Sequence, residues 1–207
     1  MKTVSTGIEI LDRKLGGGIP AGSIVALVAK PASQAELVLL ELTAEHETLY
    51  LTTQRSAQAV RDAIDRTSTR VGEPVVQEVE AEAPIDHALA LIRQLPEGVN
   101  LIVDSVDVLE ADGGVRYRNF LNDLQTHMVN IGGVAYLHCL DGRAVSPMRD
   151  TTEYMADLVF TLSTDVKGET IENRLTIPKY RGGAAIRDAI KLQLADRVAI
   201  DTSRDIA

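Results

Sequence analysis

Apolar positions in this chain fall into short unbroken runs that alternate with segments of helical period. "SIVALVA" (23–29) is continuous and β-prone, as a strand buried on both faces requires. A helical pattern follows from about residue 34 to 44. "TLYLTT" (48–53) predicts the next strand, and "SAQAVRDAIDRT" (56–67) a helix with Val60, Ala63 and Ile64 on one face. "PVVQEV" (74–79) suits a short strand. "PIDHALALIRQL" (84–95) opens on a proline, tolerated in a first helical turn, and gathers Ile85, Leu89 and Ile92. "VNLIVDSVDVLE" (99–110) predicts a strand ending in acids, and "GVRYRNFLNDLQTHMVN" (114–130) an amphipathic helix. "GVAYLHCL" (133–140) and "ADLVFTLS" (156–163) predict two more strands. Beyond them the period becomes β only, in "ENRLTIPKY" (172–180) and "AIKLQLADRVAI" (189–200), with turn residues between.

Fully apolar strands alternating with helices predict an α/β fold of three layers, a mostly parallel central sheet with helices on both faces. The trailing segments predict antiparallel hairpin strands at its edge. The expected organisation is a single domain over residues 1–207. In such sheets ligands bind beyond the C-terminal ends of the strands, where the 29–36 turn and Asp104 are expected.

Composition narrows the chemistry. The net charge is -9, from 30 acidic and 21 basic residues, so nucleic acid is repelled at long range and DNA contact needs a local basic patch. An acidic, lysine-poor composition also suits a cell with a salty interior. Aromatic residues make up 3%, which disfavours base-stacking platforms. One cysteine, Cys139, excludes an internal disulfide and a cysteine-pair metal site. No apolar run is long enough to span a membrane and the start has no signal-peptide profile, so the expected location is cytoplasmic.

The turn after the first core strand is where a phosphate loop, G-x-x-x-x-G-K-[ST], would lie. Its glycines let backbone N–H groups wrap phosphate, its lysine neutralises charge and its hydroxyl holds Mg²⁺. The chain has instead Ala29, Lys30, Pro31, Ala32, Ser33, Gln34, Ala35 and Glu36. Alanine stands at the lysine position and a carboxylate at the hydroxyl position. Ser33-x-x-Glu36 reads as a capping box, with Ser33 accepting from the Glu36 N–H and Glu36 reaching back to the Ser33 N–H. On that reading Glu36 replaces a phosphate at the helix N-terminus. The alternatives are an ordinary helix start, or Lys30 acting as a displaced phosphate lysine.

"STGIEILDRKLGGGIPAGSIVALVA" (5–29) resembles the opening of the KaiC/RadA branch of the RecA-like ATPases, through Thr6, Gly7, Leu11, Asp12, Gly16, Gly17, Gly18, Ile19, Pro20, Gly22 and Ser23. "LIVDSVD" (101–107) resembles that family's Walker B strand, which would make Asp104 the acid of the Mg²⁺ water and Ser105 its neighbour. "EYMADLVFTL" (153–162) resembles the family's last helix and the strand after it. "LTIPKYRGG" (175–183) resembles its Lys-x-Arg-Gly strand, which implies that Lys179 and Arg181 reach toward a neighbouring subunit; two solvated charges on an edge strand are the alternative. The resemblance implies a RecA-like fold covering most of the chain.

The departures carry the functional expectation. Where the family pattern ends its strand with a Glu-Glu pair, the first activating the attacking water, this chain has Gln54-Arg55. Glutamine can hold a water but cannot take its proton. Binding and hydrolysis residues are lost at two sites that the sequence presents as independent. Asp104 survives, either as a remnant of Mg²⁺ binding or as a polar cap that supports a loop. His46, His87, His127 and His138 lack metal-ligand spacing, and His138-Cys139 continues a buried strand. The loop "LDGRAVSPMRD" (140–150), where recombinase relatives contact DNA, offers Arg143 and Arg149 against Asp141 and Asp150.

The expected function is therefore a pseudo-ATPase: a regulatory or scaffold subunit with no catalytic residue, no metal and no required cofactor. Its partners would be proteins, either further copies of itself or an active paralogue, with nucleic acid and membrane insertion disfavoured. Two alternatives stand beside it: an unorthodox ATPase holding MgATP weakly through Lys30 and Asp104, and a recombinase paralogue contacting DNA.

Overall fold

The computed structural model describes residues 2–184, 186–194 and 198–200. A small two-stranded sheet pairs β1 (Thr3–Val4) with β2 (Ile19–Pro20), with α1 (Glu9–Lys14) between them. The main sheet has nine strands. In chain order they are β3 (Ile24–Ala29), β4 (Thr48–Thr52), β5 (Val75–Glu78), β6 (Asn100–Asp104), β7 (Ala135–Leu140), β8 (Leu158–Lys167), β9 (Thr170–Tyr180), β10 (Ile190–Leu194) and β11 (Val198–Ile200). They lie side by side in the order β11-β10-β9-β8-β3-β7-β6-β4-β5. The strands from β8 to β5 run parallel, while β9, β10 and β11 attach antiparallel at one edge. This is the α/β architecture that the alternation of apolar runs and helical periods predicts.

Alternation along each strand builds a core on each face of the sheet. Val25, Leu27 and Ala29 of β3 point to the side covered by α1, α2 (Ala35–Glu41) and α3 (Ala57–Arg66). Ile24 and Ala26 point to the side covered by α4 (Pro84–Ile92), α5 (Asp107–Ala111), α6 (Gly114–Ile131) and α7 (Arg149–Met155). On α6, Tyr117, Phe120, Leu121, Leu124 and Met128 form one buried stripe, as the helical period predicts. Local signals set the helix ends. Ser56 accepts from the Ala59 N–H to start α3, Pro84 opens α4, and Gly132 closes α6 in the left-handed conformation.

The segment 5–29 works as a scaffold. Asp12 accepts from the Thr6 N–H at 2.8 Å and the Ser5 hydroxyl at 2.7 Å, folding the loop back on α1. In the three-glycine run Gly18 has φ +115°, and a Cβ there would lie 2.4 Å from the Val4 carbonyl oxygen. The close approach of β2 to β1 therefore demands glycine.

One predicted boundary is wrong. The apolar run 99–110 leaves the sheet at Asp104 and continues as α5. Val106 and Leu109, three apart, drop into the second core on one helical face, and Glu110 turns inward toward Arg149. A continuous apolar run does not by itself distinguish strand from buried helix. The elements β1, α1 and β2 are too short for periodicity to announce. The last predicted segment, 189–200, is divided into β10 and β11, and residues 195–197 fall outside the described ones.

Candidate functional site

At the C-terminal edge of the parallel strands, β3 ends at Ala29 and the chain turns through Lys30–Ser33, closed by the Ser33 N–H on the Lys30 carbonyl at 3.0 Å. Lys30, Pro31, Ala32 and Gln34 are exposed, Ser33 and Glu36 half-buried, and Ala29 and Ala35 buried. The expected capping box does not form. Helix α2 begins with Gln34 as its N-cap residue, with no side-chain cap, and the Ser33 hydroxyl accepts from Ala35 N–H at 3.3 Å. The reason is local: the Ser33 N–H that Glu36 was to accept from is already spent on closing the turn.

Glu36 turns instead to Arg55. Arg55 Nη1 donates to Glu36 Oε1 at 2.6 Å, and Arg55 Nη2 donates to the Ala59 carbonyl at 3.1 Å. The Glu36 hydrogen bond is the main reason the guanidinium pKa lies above its ordinary value. The two regions read as independent are thus joined by one ion pair. Positions 36 and 55, which the resemblance aligns with the hydroxyl of a phosphate loop and the second residue of the Glu-Glu pair, carry complementary charges that meet in space.

Asp104 lies at the end of β6, and its place is set by register: it is the cross-strand partner of Thr52 on β4 and of His138 on β7. Its oxygens accept from within the chain. The Tyr50 hydroxyl donates to Oδ2 at 2.6 Å, and His138 Nδ1 stands 2.6 Å from Oδ1. Burial alone would raise the Asp104 pKa, but His138, Tyr50 and the nearby Arg55 outweigh it and hold the carboxyl below its ordinary range. Burial and the Asp104 charge push the Tyr50 hydroxyl well above its ordinary value, so it remains a donor. Gln54 Nε2 donates to the Ser105 hydroxyl at 2.8 Å, and the Asp104–Ser105 peptide bond is cis. Tyr50 and His138 are the members of this cluster that sequence reasoning missed as polar partners. Both sit inside apolar runs, and only the strand register brings them to Asp104.

The side chains in the 29–36 turn differ from those of a phosphate loop. Alanine at position 35 offers no cation, and the carboxylate at position 36 is held by Arg55. The oxygens of Asp104 already hold protein partners. Among the described residues no cluster of three or more His, Cys, Asp or Glu side chains is arranged to hold a metal ion.

The remaining candidates lie apart from this cluster. Arg149 is not a surface cation: it is 4% exposed. It forms a two-pronged pair with Glu110 at 3.0 and 3.1 Å and a further bond to Asp107 at 2.8 Å. Burial works against its charge, but the Glu110 hydrogen bonds, reinforced by Glu110 and Asp107, raise its pKa above the ordinary value. Half of the basic content of the 140–150 loop is thereby removed from contact with any ligand, and Arg143 alone stays exposed. Lys179 and Arg181 do face one side, as their spacing predicts. Lys179 Nζ donates to the carbonyls of Glu153 and Tyr154 at 2.7 and 2.6 Å, and Arg181 Nη2 to Tyr154 at 2.8 Å, closing the C-terminus of α7. The pairing of Val159 with Lys179 puts them at the start of β8, the end of the sheet away from the 29–36 turn. Cys139 is buried, and burial raises its thiol pKa far above the ordinary range.

Comparison with known proteins places the family and the fold. Residues 3–207 match the family described as "Family of unknown function (DUF7125)". The chain is similar to the KaiC-like protein PH0186 of the hyperthermophilic archaeon Pyrococcus horikoshii OT3. The TM-score is 0.75 at 16% identity, over 96% of this chain and 99% of that one. It is also similar to the flagellar accessory protein FlaH of Methanocaldococcus jannaschii, with a TM-score of 0.73 at 13% identity, over 94% and 96%. The fold is therefore that of the RecA/KaiC-like ATPases. In sequence the chain is 33% identical over 116 residues to the DNA repair protein RadA of Mycolicibacterium smegmatis, covering 52% of this chain and 24% of that relative. It is 29% identical over 178 residues to the RadA of Mycobacterium tuberculosis, covering 79% and 36%. The chain thus spans about a quarter to a third of the length of these relatives. Among the described residues no helix is long and apolar enough to cross a membrane.

Proposed function

We propose that this chain, which belongs to the DUF7125 family, is a RecA/KaiC-like domain that has given up ATP chemistry and serves as a regulatory or scaffold subunit, in complexes with its own copies or with an active paralogue. The observation that carries the reading is the 2.6 Å Glu36–Arg55 pair. By resemblance the first position would hold the Mg²⁺ hydroxyl of a phosphate loop, and the second adjoins the glutamate that would activate water; here the two side chains pair with each other. The hold of Tyr50 and His138 on Asp104 supports the same reading, since the acid that would organise Mg²⁺ water is employed inside the protein.

A second reading, a nucleic-acid role, is favoured by the similarity to proteins named DNA repair protein RadA. Against it stand the net charge of -9 and the burial of Arg149. Isothermal calorimetry with MgATP on the full chain tests the first reading: no heat above dilution is expected, and saturable binding at micromolar concentration would overturn it. Salt-dependent retention on single-stranded DNA would favour the second.

A further inference from the structure

A groove of about 690 Å³ opens at the opposite end of the sheet from the 29–36 turn, where β4 and β5 begin and α4 ends. Its floor is apolar, formed by Leu49, Val75, Leu91, Leu95, Pro96 and Val99. Leu91 and Leu95 lie on the second core, so the groove is the outer wall of that core. Its rim is acidic: Glu45, Glu47 and Glu73 line it, and no Lys or Arg does. Arg70 stands 3.4 Å from Glu45 and offsets one of the three charges. Glu47 and Glu73 have no ion-pair partner among the described residues.

The groove is preformed rather than a slack loop. The Gly72 N–H donates to the Thr43 hydroxyl at 3.0 Å. A Cβ on Gly72 would lie 2.2 Å from the Thr43 carbonyl oxygen, so only glycine lets this wall close. Across β5, on the other face, a second cavity of about 430 Å³ lined by Ile64, Val71 and Val76 shares Gly72 and Glu73 with the groove. The edge strand therefore starts with open space on both sides, and Val75 is 58% exposed. The outward backbone of β5 is partly closed, because Arg61 donates to the Val76 carbonyl at 2.7 Å. Recognition here runs through side chains in the groove rather than through an added strand.

We propose that this groove docks a segment of a partner protein in which a few apolar side chains are flanked by Lys or Arg. The volume falls in the range of about 300–1,000 Å³ typical of ligand pockets, which admits a few side chains. The apolar floor selects what enters, and the acidic rim selects the charge beside it. A second copy of this chain is the wrong partner by charge. Its net charge is -9, and the stretch 165–171, which carries the exposed apolar hairpin residues Val166 and Ile171, holds Asp165 and Glu169 against Lys167 in sequence. The proposal rests on the scaffold reading only in requiring a protein partner, and it involves no residue of the 29–36 turn.

The test is a fluorescence-anisotropy titration of the full chain, without nucleotide, against three labelled octapeptides: KLRVKLRV, the equally charged but polar KSRSKSRS, and the acidic ELEVELEV. KLRVKLRV is expected to bind at least about tenfold more tightly than either of the others. Val75→Lys and Glu73→Lys, both at exposed positions, should each weaken it by about tenfold, whereas Glu82→Lys, an equal charge change at the other end of β5, should leave it within about twofold. Unchanged urea midpoints show that the variants fold. Three outcomes overturn the proposal: equal binding of KSRSKSRS, insensitivity to Val75→Lys, or no binding of KLRVKLRV. Sedimentation showing a dimer that Val75→Lys dissolves would assign the groove to a second copy and overturn it as well. None of these outcomes bears on the MgATP calorimetry, and ATP binding would leave the peptide titration unchanged.

Discussion

Two ionic clusters stand at the C-terminal edge of the sheet, and they differ in what surrounds them. Arg149 and Glu110 have side chains 5% and 0% exposed, with further bonds from Arg149 to Asp107 and to the Leu140 carbonyl. Arg55 and Glu36 are 39% and 41% exposed and meet through one contact. The buried cluster joins α5, the end of β7 and α7, and Thr152 adds a hydroxyl bond to Glu110 while the Tyr117 hydroxyl stands 2.7 Å from Thr152. The outer pair joins the turn after β3 to the turn after β4, and water competes for both of its members. Position in the fold, rather than the presence of charge, decides which pair braces the protein. The inner one lies within the packed core, while the outer one lies at the surface, where the turns after β3 and β4 meet.

Breaking the inner cluster is expected to have the largest effect. Arg149→Met leaves Glu110 charged and buried without a cation, and should cost about 3–5 kcal/mol of unfolding free energy in urea titrations. Removing both partners, as Arg149→Met with Glu110→Leu, should recover most of that loss, because no buried charge is then left alone. A double mutant no more stable than Arg149→Met would show that the cluster acts through something other than charge pairing.

Tyr50→Phe probes the half-buried Asp104, which belongs to neither cluster. It removes a hydrogen bond to that carboxylate and should cost about 1.5–3 kcal/mol. A smaller loss would mean that water reaches Asp104. Lys179→Met removes a cation from the carbonyls that end α7 and should cost about 0.3–1 kcal/mol, read from the same urea midpoint. The outer pair gives the smallest effect. A double-mutant cycle on Glu36→Gln and Arg55→Gln should return a coupling of about 0.2–1 kcal/mol, shrinking in high salt. A coupling above about 2 kcal/mol would place this pair with the inner cluster and end the contrast.

The legibility of the chain follows the range of the interactions. The strand from 24 to 29, the α6 stripe and the antiparallel C-terminal strands were readable because periodicity is a local property of the backbone. Alanine at position 35 was equally plain, since residue identity is a matter of the sequence alone. The run 99–110 misled because apolar continuity is shared by buried strands and buried helices. Ser33 and Glu36 misled because the spacing of a capping box is necessary for one but does not reserve the N–H that it needs. Arg149 looked like a surface cation because nothing near it in sequence announces Glu110, 39 residues away. His138 looked like packing, and Tyr50 drew no reading of its own, because their partner lies on another strand.

The sequence by itself determined the layered α/β architecture, the stripe of α6 and which residues stand at positions 29–36 and 54–55. Each of these is written in neighbouring residues, in their period or their identity. Only the tertiary structure decided which charge meets which: Glu36 with Arg55 rather than with its own helix start, Asp104 with Tyr50 and His138, Arg149 with Glu110. Hydrogen bonds and ion pairs act over a few ångströms, so their partners are fixed by strand register and helix placement, which no single segment contains.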